Sequence, residues 1–286
     1  MDLGFEDEVA LVEERMRAIA DGVEPSYLGD AVAHVALAGG KRLRPILTLL
    51  SCEAVGGDRA DAVDVAAGVE LVHTSALVAD DVIDRSAVRR GVPTVHEEWD
   101  HDTAVLASNQ LLGRALETID DREQVRSMVD ALEALGEGEA MELAGAVETV
   151  DDYDALAHRK TAALFVTACD VGGIAGGASQ TERDALRRYG EHLGVGFQIR
   201  DDVLDYTGTQ DDLGKPVGRD ELLDRPSLVA LHSREEDARL VDSVAFARDR
   251  ARDRVDRARA ALDDLPESEA TAALRDVTSF VVDRNR

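Results

Sequence analysis

Apolar residues recur at intervals of three and four along most of the chain, the spacing that places side chains on one face of an α-helix. Alternating strand patterns are nearly absent, and glycine and proline fall between the periodic stretches. The helical segments that this pattern predicts are 29–38, 60–83, 103–118, 123–147, 153–172, 182–206, 234–262 and 268–283. We therefore expect an all-α fold. Because no low-complexity linker interrupts the pattern, we expect one domain over residues 1–286.

Two of the predicted helices are unusually apolar, Val63 to Ile83 and Tyr189 to Tyr206, and we expect both to be central. Each ends in almost the same acidic pentapeptide, DDVID at 80–84 and DDVLD at 201–205. With 59 Asp and Glu in 286 residues, such spacing also arises by chance, as in DDLPE at 263–267. That third copy contains a proline and has no arginine partner nearby, so the context of the first two distinguishes them.

The spacing within each pentapeptide has a chemical consequence. Residues i and i+4 share a helix face, so Asp80 and Asp84 project together, and Asp201 and Asp205 do the same. If the two helices face each other, as many as six carboxylates converge and raise one another's pKa unless cations intervene. Mg²⁺ suits this arrangement because it takes a few carboxylates and completes its shell with phosphate oxygens and water.

The net charge of the chain argues against some classes of binding partner and indicates the kind of cell that the protein comes from. The formal net charge is −27, which disfavours nucleic acid because phosphate contact needs a basic face. Self-repulsion of this size is largely screened at about 1 M salt, where the Debye length is roughly 3 Å. Cys52 and Cys169 suggest neither a disulfide framework nor a zinc site, and no signal-peptide or membrane-span pattern is present. We expect a cytoplasmic protein from a cell that accumulates salt.

The basic residues suggest a ligand. Only three of the 32 are lysines, Lys41, Lys160 and Lys215, and each lies in a motif-like stretch: GGKRLRP, HRKTAALF and LGKPVGRD. We hypothesise that all three lie in the active site. Together with Arg89 and Arg90, which follow the first acidic motif, they predict two anion sites, one reached through metal and one bound directly by Arg and Lys.

Taken together, these blocks resemble the trans-isoprenyl diphosphate synthases, or polyprenyl synthetase family, and among them the archaeal geranylgeranyl diphosphate synthases. The resemblance implies an isoprenoid-synthase-type helical bundle around a deep central cavity, usually a homodimer. It implies head-to-tail condensation of isopentenyl diphosphate with an allylic diphosphate, with three Mg²⁺ ions per active site and tolerance of Mn²⁺. The matching blocks span most of the chain: GGKRLRP (39–45), LVHTSALVADDVIDRSAVRRGVPTVH (71–96), HRKTAALF (158–165), GVGFQIRDDVLDYTG (194–208) and LGKPVGRD (213–220).

The resemblance also implies a role for each candidate residue. The predicted metal ligands are Asp80, Asp84 and Asp201, supported in catalysis by Asp81, Asp202 and Asp205. The residues predicted to hold isopentenyl diphosphate are Lys41, Arg44, His73 and Arg90, and Arg42 of the same turn is counted with the substrate-binding set. Those predicted to hold the allylic diphosphate or its cation are Arg89, Lys160, Thr161, Gln198, Lys215 and Arg225.

Departures from the family pattern keep two alternatives open. Asn109, Glu139 and Arg225 stand where the family commonly has Asp, Gln and Lys, which bears on rate and product more than on reaction class. A class I terpene cyclase also ionises a prenyl diphosphate with Mg²⁺, but it needs no isopentenyl site. A regulatory subunit of a heteromeric synthase usually loses one acidic motif, whereas this chain keeps both.

The residues before the first acidic motif predict the product length. Ser75 and Ala76 lie one helical turn before Asp80, at the level where short-product members of the family have a bulky aromatic floor. Both are small, and no aromatic occurs from 60 to 83, with Val72, Leu71, Val69 and Gly68 in the next turn. One helical turn is about 5.4 Å, close to one isoprene unit. We expect C20 geranylgeranyl diphosphate, with C25 and longer chains as the alternative.

Overall fold

The computed structural model of the protein describes residues 4–207 and 226–282, and the chain forms two compact units. The N-terminal unit comprises residues 2–129 and 170–178, and the C-terminal unit comprises residues 130–169 and 179–286 together with Met1. Two helices, α7 (Arg122–Leu143) and α9 (Ala163–Ala175), run from one unit into the other. The all-α class is confirmed, and the single domain over 1–286 stays a prediction.

Helices build almost all of the described N-terminal unit. A 3₁₀ turn, Arg59–Ala62, leads into its longest helix, and a two-stranded antiparallel hairpin follows that helix. The remaining elements are α1 (Glu6–Asp21), α2 (Ser26–Ala36), α3 (Leu43–Ala54), α4 (Val63–Ile83), β1 (Val88–Arg89), β2 (Val92–Pro93), α5 (Val95–Glu98) and α6 (His101–Glu117).

Helix α4 is the core of the N-terminal unit. It packs against α1, α3 and α6, and every residue from Val65 to Val72 is buried. A Cβ at Gly68 would lie 2.9 Å from Thr118 Oγ1 and 3.0 Å from the Ala115 carbonyl oxygen, so glycine lets α4 and α6 approach closely. Among the described residues, the stretch Arg59–Ile83 alone is long and apolar enough to cross a bilayer, and most of it is buried as a core helix is.

The C-terminal unit is also helical in its described part. Beyond the shared helices it contains α8 (Val150–Ala157), a π-helical turn (His158–Ala162), α10 (Gln180–Thr207), α11 (Leu228–Glu235), α12 (Leu240–Ala261), a 3₁₀ turn (Leu262–Asp264) and α13 (Glu269–Val282). The long helix α10 packs against α12 and against the π-helical turn. A Cβ at Gly194 would lie 2.6 Å from Ala162 Cα, so this glycine allows α10 to lie directly on that turn.

Several described elements differ from the predicted ones. Helices α1, α3 and α5 lie outside the predicted segments, α11 overlaps them only at residues 234–235, and the predicted segment 234–262 corresponds mainly to α12. One face of α12 is buried, although acidic and arginine residues make up much of this helix. Val244, Ala247, Ala251 and Val255 are all buried there, because small and branched side chains recur every three to four residues between the charges.

Candidate active site

The first acidic motif closes α4. The backbone N–H of Asp84 donates to the carbonyl of Asp80 at 2.8 Å, so the last helical turn holds both residues on one face. Both side chains are half-buried. The motif therefore presents two carboxylates on one face at the end of a buried helix, as the spacing predicted.

Asp81 plays a different part from its two neighbours in the motif. It is buried, and its Oδ1 accepts hydrogen bonds from Arg89 Nε at 2.9 Å and Arg89 Nη2 at 2.5 Å. Burial raises the pKa of this carboxyl, and the Arg89 guanidinium opposes the rise. The predicted supporting role of Asp81 thus takes the form of a bond that fixes Arg89 beside the end of α4.

The hairpin places Arg90 against the Gly39-Gly40 turn. Arg90 Nη1 donates to the Gly39 carbonyl at 2.7 Å, and Nη2 lies 3.5 Å from Glu70 Oε1. A Cβ at Gly40, which has a φ of +124°, would lie 2.8 Å from the guanidinium carbon of Arg90. Only glycine fits that position, so two of the predicted substrate-binding blocks are in direct contact within the N-terminal unit.

Arg42 differs from its prediction as a substrate-binding residue. Its side chain is 0 % exposed, and each of its three nitrogens already has a partner. Nη1 donates to Glu70 Oε1 at 2.8 Å, Nε to Glu13 Oε1 at 3.0 Å, and Nη2 to the Ala36 carbonyl at 2.7 Å. The backbone at Arg42 is left-handed, with a φ of 47°, and this turns the guanidinium into the core. Arg42 therefore anchors the turn that carries its neighbours Lys41 and Arg44.

His73 lies two turns before Asp80 on the same helix and is half-buried. Burial lowers its pKa well below the ordinary histidine value, and the charges of Arg44, Arg90, Arg89 and Arg42 lower it further. A neutral imidazole next to several arginines offers a phosphate one N–H donor but no added charge. The predicted contribution of His73 is accordingly one of hydrogen bonding.

The second acidic motif closes the described part of α10 and separates into one half-buried and two buried carboxylates. Asp201 is half-buried, whereas Asp202 and Asp205 are buried. Asp202 Oδ2 accepts from the backbone N–H of Leu228 at 2.9 Å, at the first residue of α11. Tyr153 is also buried, and burial followed by the nearby Asp202 charge raises its pKa well above the usual range.

A chain of side chains connects Asp202 to the π-helical turn. Gln198 Nε2 donates to Asp202 Oδ1 at 3.0 Å, and Thr161 Oγ1 donates to Gln198 Oε1 at 2.6 Å. The two amide ends of Gln198 are thus both committed, which fixes its orientation. The structure brings Thr161, Gln198 and Asp202 together within the C-terminal unit, as the predicted allylic set requires of the first two.

Lys160 lies in the same π-helical turn and faces two glutamates of α7. Its Nζ is 2.6 Å from Glu139 Oε2 and 2.8 Å from Glu142 Oε2. Burial lowers the pKa of this ammonium, but Glu142 and Glu139 outweigh that effect and hold the pKa above its usual value. Lys160 is therefore protonated and oriented by carboxylates of its own chain.

The carboxylate oxygens of the two acidic motifs are ligands of the kind that Mg²⁺ prefers. Among the described residues no group of three or more His, Cys, Asp or Glu side chains is placed to hold a metal ion. Mg²⁺ does not require such a cage, because it is commonly held by one or two carboxylates with substrate phosphates and water. Asp80 and Asp84 in one unit and Asp201 in the other are sets of that size. Lys215 and Arg225 lie outside the described residues.

Sequence reasoning missed Glu70, Tyr153 and the partnership of Glu142 with Lys160. Glu70 is 2 % exposed and is shared by Arg42 and Arg90. The signal that could have found it is a single carboxylate inside the apolar run of α4, since a buried charge needs a partner. No comparable signal marks Glu142, which lies in an acidic stretch of α7.

The comparisons with known proteins identify the family of the chain. The polyprenyl synthetase family model matches residues 25–262. A short chain isoprenyl diphosphate synthase from Methanothermobacter thermautotrophicus is 36 % identical, covering 96 % of this chain and 95 % of the relative. A geranylfarnesyl diphosphate synthase from Natronomonas pharaonis is 32 % identical, covering 92 % of this chain and 91 % of the relative.

Two solved structures of prenyl synthases superpose closely on this chain. Geranylgeranyl pyrophosphate synthetase from Pyrococcus horikoshii superposes with a TM-score of 0.90 at 32 % identity, covering 98 % of this chain and 97 % of that one. Polyprenyl synthase from Caulobacter crescentus, complexed with calcium and isoprenyl diphosphate, superposes with a TM-score of 0.90 at 28 % identity, covering 99 % and 96 %. The fold and the site define an isoprenyl diphosphate synthase type of prenyltransferase. The chain belongs to the polyprenyl synthetase family.

Proposed function

We propose that this protein condenses isopentenyl diphosphate head-to-tail with an allylic diphosphate, in a Mg²⁺-dependent reaction that yields a trans-prenyl diphosphate of C20 or longer. The observation that carries the proposal is repeated in both units. In each, a long helix ends in an acidic motif with at least one half-buried carboxylate, and cationic side chains are held by partners within the same unit. Carboxylates and fixed cations together suit a diphosphate that is bound partly through metal.

The isopentenyl diphosphate site is assigned to the N-terminal unit. Arg90 is held by the Gly39 carbonyl and Glu70, so its guanidinium is oriented before a ligand arrives. Lys41 and Arg44 flank Arg42, whose buried contacts fix the turn. His73 adds a neutral N–H donor on α4. A preoriented arginine loses less conformational entropy on binding phosphate than a mobile one.

The allylic diphosphate is assigned to Arg89, Lys160, Thr161, Gln198 and Lys215, with Arg225 in support. Asp80, Asp84 and Asp201 would hold Mg²⁺, and when bound the ion supplies positive charge against the leaving diphosphate. Lys160 and Arg89 stabilise the negative charge that grows on the same group as the allylic C–O bond breaks. The isopentenyl double bond then attacks the allylic carbon, and the proton lost from the new chain passes to the diphosphate. No serine or cysteine nucleophile takes part.

The proposed product is geranylgeranyl diphosphate, with C25 as the alternative. Ser75 is buried and shares reciprocal hydrogen bonds with Ser108 of α6, at 2.9 Å and 3.1 Å. Val72, Leu71 and Val69, one helical turn further from the carboxylates, are fully buried. Ala76 is half-buried on the face of α4 that carries His73 and Asp80, and this makes it the residue at which a larger side chain would meet the growing product.

We predict that Ala76→Phe shortens the product toward C15 while condensation continues, because the ring would fill the space one helical turn from the carboxylates. The measurement is product chain length by chromatography with labelled primer. Leu77→Phe, at the adjacent half-buried position, is the control for added bulk. An unchanged product in Ala76→Phe, or a wild-type product of C15 alone, would contradict this account.

The proposal also covers the oligomeric state, the cellular location and the metal ions. Val105 and Leu106 are 53 % and 46 % exposed on α6, which supports a homodimer that covers them. Light scattering of the purified protein tests this. Cytoplasmic location, three Mg²⁺ ions per site and replacement by Mn²⁺ are proposed on the same grounds as the reaction.

The deciding experiment is incubation with isopentenyl diphosphate, labelled allylic primers and Mg²⁺, with chain-length analysis and a chelator control. Elongated prenyl diphosphates that vanish with chelator support the proposal. A cyclised hydrocarbon formed from one prenyl diphosphate would indicate a class I terpene cyclase instead. Activity only after addition of a second synthase chain would indicate a regulatory subunit.

A further inference from the structure

Lys160 is enclosed by more negative charge than it neutralises. Glu139 Oε2 and Glu142 Oε2 lie 2.6 Å and 2.8 Å from its Nζ, and the three side chains are 17 %, 15 % and 23 % exposed, respectively. Nζ donates a hydrogen bond to Glu142 Oε2, whereas Glu139 Oε2 makes an ion-pair contact, so the three N–H donors of the ammonium are not all used. The local formal charge is −1 at a position where the proposed function places an incoming diphosphate.

The close approach of α7 to the π-helical turn is built into the sequence. A Cβ at Gly138 would lie 3.0 Å from the Lys160 backbone nitrogen and 3.1 Å from Lys160 Cβ. Glycine at this position therefore lets α7 lie directly on the backbone of Lys160. Glu139 and Glu142 are three residues apart, so they share a helix face and meet the same ammonium.

This geometry sets up a competition for one cation. A diphosphate oxygen that approaches Lys160 either takes a remaining N–H donor or displaces a carboxylate, and it brings negative charge close to both glutamates. Half-buried charges are screened less than exposed ones, so the repulsion acts on binding. Glu139 is the nearer of the two, and glutamine at that position would keep an oxygen acceptor for Lys160 while removing the charge.

Resting on the proposed function, we propose that Glu139 is an affinity-setting residue that weakens the hold of Lys160 on the allylic diphosphate and on the diphosphate released. The consequence is looser binding of the allylic substrate and easier departure of products. Isopentenyl diphosphate is assigned to the N-terminal unit and is unaffected by Glu139. Glu139 acts through Lys160 and is a positioning residue rather than a catalytic one.

The test compares Glu139→Gln with Glu137→Gln. Glu137 precedes Glu139 on α7 and its Oε2 accepts from Arg159 Nε at 3.1 Å, so it is also a glutamate paired with a cation of the π-helical turn. Both variants change the net charge by the same amount. We expect Glu139→Gln to lower KM for the allylic diphosphate about fivefold, which corresponds to about 1 kcal/mol, and to leave KM for isopentenyl diphosphate unchanged. Glu137→Gln should change neither.

Two further readouts separate charge repulsion from loss of structure. The ratio of allylic KM values, wild type over Glu139→Gln, should shrink between 0.2 M and 2 M KCl, because salt screens the repulsion that the variant removes. Calorimetric titration with inorganic pyrophosphate and Mg²⁺ should show tighter binding to Glu139→Gln without any turnover. Weaker binding of pyrophosphate, or a higher allylic KM at an unchanged melting temperature, would overturn the proposal by showing that the carboxylate supports Lys160.

The pyrophosphate titration also keeps this proposal distinct from the proposed function. If the wild type forms no elongated product, the proposed reaction fails. The titration of the two variants still shows whether Glu139 opposes diphosphate at Lys160. If the wild type elongates normally and the two variants bind pyrophosphate equally, the reaction stands and the role of Glu139 is wrong.

Discussion

At the scale of single residues, the buried carboxylate of Glu70 connects two arginines of different function. It accepts from Arg42 at 2.8 Å and lies 3.5 Å from Arg90, and it is almost fully buried. Removing one partner of a buried ion pair leaves an uncompensated charge. We therefore predict that Glu70→Gln lowers the free energy of unfolding by about 3–5 kcal/mol, measured by urea denaturation at fixed KCl.

Glu13 provides the matched control for Glu70. It bonds to the same guanidinium at 3.0 Å, but its side chain is 30 % exposed. Glu13→Gln should cost only about 0–1 kcal/mol, as partly exposed pairs do. In a Glu70→Gln protein kept folded by salt, KM for isopentenyl diphosphate should also rise, since Arg90 loses one of its two anchors. Equal losses of stability in the two variants would mean that Arg42 does not depend on Glu70.

His73 gives a prediction about protonation. Its pKa is lowered well below the ordinary value of 6.5, first by burial and then by four arginines. A base with a depressed folded pKa stabilises the fold above its unfolded pKa, and this contribution is lost as the pH falls toward the folded pKa. The Cε1 resonance of His73 should therefore stay that of neutral imidazole as the pH is lowered from 8 through 6.5. A midpoint at 6.5 or above would show a charged, phosphate-pairing histidine instead.

At the scale of elements, the second acidic motif has two kinds of carboxylate, one available for catalysis and one that connects secondary-structure elements. Asp201 is half-buried at the end of α10, whereas Asp202 bonds to the start of α11 and to Gln198. We predict that Asp201→Asn lowers kcat strongly and leaves stability within about 0.5 kcal/mol, while Asp202→Asn destabilises by about 1–3 kcal/mol. Parallel kinetic and denaturation measurements on the two variants check this.

The two variants of this motif are well matched, because Asp201 and Asp202 are adjacent in one pentapeptide. Both changes remove one charge from adjacent residues, so their effects on net charge are the same. If Asp201→Asn unfolded the protein while Asp202→Asn left its stability intact, the roles would be reversed from those that the hydrogen bonds indicate.

The elements were predictable where periodicity was long and uninterrupted. The segment 103–118 matches α6 (His101–Glu117), and 182–206 matches α10 (Gln180–Thr207), each within two residues. The pattern also recurs in α3, at Leu43, Ile46, Leu47 and Leu50, but Pro45 interrupts it. Proline is tolerated in the first turn of a helix, which is where Pro45 lies. The predicted segment 234–262 misses all but the last two residues of α11, and it extends across 236–239 because no glycine or proline interrupts the sequence there.

The site was predictable in its residue types and less so in their contacts. Spacing on a helix placed Asp80 and Asp84 together because i and i+4 share a face. It could not show that Arg42 points into the core, because that depends on a left-handed backbone at one residue. Nor could it show that Lys160 meets Glu139 and Glu142, since that contact joins helices separated by many residues.

At the scale of the whole molecule, the charge dominates the stability prediction. With a net charge of −27, mutual repulsion opposes the folded state at low salt. The Debye length falls from about 10 Å at 0.1 M to roughly 3 Å at 1 M, so the melting temperature should rise as KCl increases from 0.1 M to 2 M. Differential scanning calorimetry measures this directly.

The nature of the salt provides the control for that experiment. Screening depends on ionic strength, so NaCl and KCl at equal concentration should raise the melting temperature alike, and a neutral osmolyte at equal osmolality should not reproduce the size of the effect. A melting temperature that is flat or falls over the range would contradict the interpretation of the charge as an adaptation to salt.

The scarcity of lysine gives this protein a natural set of chemical reporters. Amine-directed reagents modify only unprotonated amines, and the three ε-amines here are those of Lys41, Lys160 and Lys215. Lys160 is held protonated between two carboxylates and should acylate more slowly than Lys41, which is exposed on its turn. Peptide mass mapping after acylation would then show which of these amines a bound diphosphate shields. Occupancy of the two proposed substrate sites could thus be followed in the unmodified sequence, without an engineered label.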